Sequence, residues 1–141
     1  MTNIDFYFNA DDRLQVACRL AAKAASQGKR LLVHVPDAEL ASRFDRMLWT
    51  WQALAFVPHC AVHDPLAGET PVLIGHGEDT PEGCEVILNL GDACPPHFER
   101  FTRLLEIVGG EDADKQAGRE RYKFYQARGY KIANHDLSAA S

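Results

Sequence analysis

The sequence predicts an α/β layer fold, a single domain over residues 1–141 with a largely parallel central sheet flanked by helices. Two observations carry this. The stretches LLVHV (Leu31 to Val35) and VILNL (Val86 to Leu90) are nearly continuous apolar runs, the pattern of strands buried on both faces of a parallel sheet. Between such runs lie segments whose apolar residues recur at helical spacing, so strands and helices alternate along the chain.

The elements follow in order. Ile4 to Phe8 (IDFYF) is short and aromatic and reads as a first strand. Asp11 or Asp12 can cap a helix whose apolar stripe runs through Leu14, Cys18, Leu20, Ala21, Ala24 and Ala25 until Gly28 stops it. After the second strand, Pro36 and Asp37 open another helix, with Leu40, Phe44, Met47 and Leu48 on one face through Trp49. The middle is turn-rich. Phe56-Val57-Pro58-His59 leads into HDPLAGETP, and Val72 to Ile74 reads as a strand. Phe101 to Val108 fits a strand or a short helix equally. Gly109-Gly110 breaks the chain before a last helix, about Ala113 to Ala127, ended by Gly129. Asn134 to Ser141 is polar and reads as a flexible, frayed tail.

Composition narrows the function. The formal net charge is −5, which argues against wholesale nucleic-acid binding. Four scattered cysteines (Cys18, Cys60, Cys84, Cys94) read as reduced thiols of a cytoplasmic protein, not a disulfide frame. The N-terminus lacks the cationic and apolar regions of a signal peptide, and no apolar run approaches membrane-spanning length.

Enzymatic signatures are weak. There is no phosphate loop of the form G-x-x-x-x-G-K-S/T; Gly28-Lys29 precedes a strand, the reverse of the required order. Gly75-His76-Gly77 follows a strand, but Thr80 stands where a third dinucleotide-binding glycine belongs. His59, Cys60, His63 and Asp64 form the best metal-like group, the basis of an alternative reading as a small nucleotide- or metal-dependent hydrolase. Pro58 and Pro65 bracket that group and disfavour a helical His pair. No catalytic residue, metal site or cofactor is assigned.

The last helix carries the charge signal. From Lys115 to Lys131 there are six cations and one acid, a local +5 that leaves −10 for the rest of the chain. At 3.6 residues per turn, Ala113, Ala117, Phe124 and Ala127 make a narrow apolar stripe suited to the sheet, whereas Lys115, Arg119, Tyr122, Lys123 and Gln126 share another face. Cations beside an aromatic ring suit a ligand that offers carboxylates and an apolar group. A patch on one helix, ~22 Å long, suits a short acidic peptide better than a long polyanion.

In this order and spacing, FY (Phe6, Tyr7), GKR (Gly28 to Arg30), RFDRMLW (Arg43 to Trp49), FVPH (Phe56 to His59), VILNL and above all RERYKFY (Arg119 to Tyr125) resemble the chi-subunit family of bacterial DNA polymerase III. The resemblance spans most of the chain. It implies a non-enzymatic, Rossmann-like accessory subunit of the holoenzyme, acting in DNA replication. Two protein partners are implied: the psi subunit, which tethers chi to the clamp loader, and the acidic C-terminal tail of single-stranded DNA-binding protein (SSB), which ends in Pro-Phe with a free carboxylate. Neither nucleic acid nor membrane is an implied partner, and the chain would act as a monomer or a heterodimer with psi. Carried over by motif, Lys115, Arg119, Tyr122 and Lys123 would bind the tail, with Gly129 and Tyr130 helping to shape the pocket for its Phe. Phe56 would contact psi; Trp49 and Trp51 are added as aromatic anchors of that interface. The chain departs from the family pattern in a shorter, less basic His63 to Thr70 loop and in Gly118, which replaces a better helix former.

Overall fold

The computed structural model describes residues 2–50, 58–62, 64–65, 70–75 and 83–139. Seven strands form one sheet: β1 (Asn3–Ala10), β2 (Leu31–His34), β3 (His59–Ala61), β4 (Val72–Gly75), β5 (Val86–Asn89), β6 (Arg103–Gly109) and β7 (Ile132–Asp136). Their order is β3-β4-β2-β5-β6-β1-β7, and every neighbouring pair is parallel. Three helices accompany them: α1 (Arg13–Ser26), α2 (Ala38–Trp49) and α3 (Asp112–Ala127). The α/β reading is correct.

The strands read as they do because both faces are covered. Leu31 and Val33 of β2 enter the core under α1 and α2, while Leu32 enters the core under α3. Both helical starts use the anticipated aspartates. The Asp12 side chain accepts from the N–H groups of Leu14 and Gln15, and the Asp37 side chain accepts from that of Glu39. Such a cap contributes about 1 kcal/mol to each helix.

The structure settles one ambiguity and changes two expectations. Residues 103–109 form a strand because they lie between β5 and β1, with every residue after Arg103 buried. β3 adds a three-residue strand at one edge, too short to give a periodic signal. At the other edge, the tail expected to fray from Asn134 begins as strand through Asp136 and continues as a 3-10 turn at Leu137–Ala139. Ile132–Asp136 pairs with Ile4–Phe8 of β1. Polar fastenings replace a buried apolar face: Asn9 Nδ2 donates to Asp136 at 2.9 Å, and His135 Nε2 lies 3.1 Å from the Asp5 carboxylate. The Asn9 and Ser138 donors hold the Asp136 carboxyl below its usual range.

Candidate functional site

α3 runs from the end of β6 to the start of β7, crossing the sheet on the face opposite α1 and α2. Its inward face differs from the expected apolar stripe. Ala113, Phe124 and Ala127 are exposed, and the buried positions are Gly118, Arg121 and Tyr125, at i, i+3 and i+7. A buried carboxylate is the reason. Glu106 of β6 is fully buried and accepts from Arg121 Nε at 2.9 Å, Tyr125 OH at 2.6 Å and Asn89 Nδ2 at 3.1 Å. Arg121 also donates to the Asp92 carbonyl at 2.7 Å. Burial pushes the Glu106 carboxyl upward, against the pull of these donors; burial and the Glu106 charge both raise the Tyr125 phenol. A charge in the interior requires such a partner, so Arg121 turns inward and leaves the exposed basic group. The only hint in the sequence is polar Asn89 and Glu106 placed inside otherwise apolar strands.

With α3 held this way, a cavity of about 380 Å³ opens at the C-terminal ends of β1 and β6. Phe6, Phe8 and Val108 supply its apolar wall, Lys115, Arg119 and Tyr122 come from α3, and Asn134 comes from β7. This is where ligands sit in open parallel sheets, outside the carboxyl ends of strands. Tyr122 stands edge-on to Phe6, with ring centroids 5.2 Å apart, and its hydroxyl accepts from Asn134 Nδ2 at 3.3 Å. Gly118 lets α3 approach β6, since a Cβ there would lie 2.7 Å from Val108 Cγ2. The glycine therefore serves close packing, at the expense of helix propensity. Gly118→Val is expected to lower stability by about 1–3 kcal/mol through overpacking, measured by chemical denaturation.

The charges around the cavity are arranged unevenly. Arg13 and Arg121 each pair with an acid, Asp114 and Glu106. Lys115, Arg119 and Lys123 have no acidic partner among the described residues, although they lie on a chain with more acids than bases. The structure thus brings Lys115, Arg119 and Tyr122 together at one apolar cavity. Lys123 is exposed one turn further along the same stripe and does not line it. Gly129, at φ +79°, ends α3, and Tyr130 packs on Phe98 at 5.4 Å and Tyr125 at 6.4 Å, away from the lining. Asn134, Phe8 and Val108 were not anticipated.

The other candidates separate. Trp49 ends α2 with 55% of its surface exposed, its ring edge-on to His59 with centroids 4.9 Å apart. Phe56, Trp51 and His63 lie outside the described residues. His59 Nε2 lies 3.2 Å from the Asp45 carboxylate of α2, and no group of three metal-ligating side chains occurs among the described residues. Among them, too, no helix is long and apolar enough to cross a membrane.

The family described as "DNA polymerase III chi subunit, HolC" matches residues 1–133. A protein of Pseudomonas aeruginosa named DNA polymerase III subunit chi is 38% identical over 141 residues, covering 97% of this chain and 98% of that protein. Its namesake in Escherichia coli K12 is 30% identical, covering 94% of this chain and 96% of the relative. Among solved structures, the S. cerevisiae protein Dbp5 bound to RNA and ADP BeF3 superposes with a TM-score of 0.66 at 11% identity. The match covers 95% of this chain and 41% of Dbp5, and at that identity it speaks for the fold alone.

Proposed function

This chain belongs to the DNA polymerase III chi subunit family, and from that premise we propose that it is a non-catalytic accessory subunit joining the clamp loader, through psi, to the acidic C-terminal tail of SSB. The observation that supports the reading best is the apolar cavity with Lys115 and Arg119 on its rim, neither with an acidic partner among the described residues. Arg119 would grip a carboxylate of the tail through two parallel N–H···O bonds, and Lys115 and Lys123 would add less directional attraction. The terminal Phe would lie against Phe6, Phe8 and Val108 beside Tyr122. Burying a Phe side chain there is worth about 1.5–3 kcal/mol, enough to make the aromatic end a specificity element.

Exposed Trp49 supports the psi assignment of the α2 end, because interface anchors are enriched in Trp. Trp49→Ala is expected to weaken psi binding by about 2 kcal/mol while leaving tail binding intact, a split that calorimetry with each partner reads directly. The function as a whole is tested by capture of purified psi and SSB on immobilised chain. Psi should be retained, and SSB should be retained only when its C-terminal tail is present; equal capture of tailless SSB would refute the proposal.

A further inference from the structure

A second donor-lined groove, of about 310 Å³, lies on the opposite face of the sheet between the C-terminal half of α1 and the starts of β5 and β6. Leu20, Ala24, Val86 and Leu105 make its floor, and its polar rim consists of Lys23, Lys29, Arg103, Gln27 and Tyr7. Every one of these side chains can donate a hydrogen bond, and three are cations. The nearby Asp5 carboxylate is already engaged, by Arg103 Nη1 at 2.8 Å and His135 Nε2 at 3.1 Å. Lys23 and Lys29 have no acidic partner among the described residues. Lys23 lies in the last turn of α1, where its charge complements the helix C-terminus, but Lys29 lies beyond that helix, and in a chain of net charge −5 the gathering of these cations over one apolar floor makes a local positive patch.

We propose that this groove is a second binding site, taking an Asp/Glu-rich segment of a protein partner that needs no aromatic end. Charge complementarity selects the carboxylates, and the apolar floor matches the aliphatic stems of acidic side chains. Two features favour a short peptide over nucleic acid. The groove is small, and the chain outside the two basic regions is strongly acidic, so a long polyanion leaving the groove would run onto like charge. The site is separate from the tail cavity: its lining residues pack with α1, whereas Phe6, Val108 and Tyr122 pack with α3. One chain is therefore able to hold two acidic segments at once, so that binding one raises the effective concentration of the other when the two are linked.

The test is an amide-resolved NMR titration of the full chain with acetylated, amidated hexaglutamate, which has neither an aromatic residue nor a free terminus. Shifts are expected at residues 23–29 and 103–105. The double variant Lys23→Glu, Lys29→Glu should weaken that binding at least tenfold, and Lys23→Ala, Lys29→Ala should weaken it by a smaller factor. Arg119→Ala should leave it within twofold, which separates this site from the proposed tail site. The inference is overturned by an absence of shifts, by shifts confined to α3, by unchanged binding in the charge-reversed variant, or by tighter binding of oligothymidylate in the groove at the same salt concentration.

Discussion

Arg119→Ala is expected to weaken binding of an acidic peptide ending in Pro-Phe by about 1.5–3 kcal/mol, roughly 10- to 150-fold, when measured by calorimetry. The substitution removes a charge-assisted bond at the rim without touching the packed face of α3, which is made by Gly118, Arg121 and Tyr125. Stability should therefore be nearly unchanged, and the loss should appear in affinity alone. Arg119→Lys should recover part of it, because an ammonium keeps the charge but not the planar two-pronged geometry. Affinity of the unaltered protein should fall as salt rises, since the contact is exposed and screened. Unchanged affinity in Arg119→Ala would remove this residue from the site.

Glu106→Ala has the largest expected effect on stability, a loss of about 3–5 kcal/mol in chemical denaturation. It would leave the Arg121 guanidinium, only 4% exposed, with no carboxylate, and would strip Tyr125 OH and Asn89 Nδ2 of an acceptor. The penalty comes from stranded polar groups more than from a lost attraction. An apolar pair, Glu106→Leu with Arg121→Met, should therefore cost much less than the single substitution, because both charges leave the interior together. If the single and double variants lose equal stability, the network is not what seats α3. Since Arg119 and Tyr122 lie on the same rigid helix, the single variant should also weaken the peptide at temperatures where it remains folded.

Much of this molecule was legible from residues near one another in sequence. The caps Asp12 and Asp37 announced α1 and α2, and LLVHV and VILNL announced central strands, because local hydrogen bonding and two-sided burial leave local patterns. The spacing of Lys115, Arg119 and Tyr122 placed three cavity residues on one helix face for the same reason. What stayed hidden depends on distant partners. Arg121 looks like a solvent cation until Glu106 is known to be buried beneath it, fifteen residues away. β7 carries little apolar signal, because its place at the sheet edge rests on backbone pairing with β1 and on Asn9, Asp5 and their partners. Asn134 reaches the cavity only because that strand forms. Gly118 looks like a weak point on propensity alone, and its use appears only against Val108.

The central claim is peptide capture by a cavity that reads both charge and an aromatic end. It is tested most directly by titrating the chain with the acidic tail peptide and with the same peptide lacking its terminal Phe. Capture at this cavity predicts one-to-one binding of the complete tail and a loss of about 1.5–3 kcal/mol, tenfold or more, for the shortened one. Equal binding of the two peptides, or no binding of either, would contradict it.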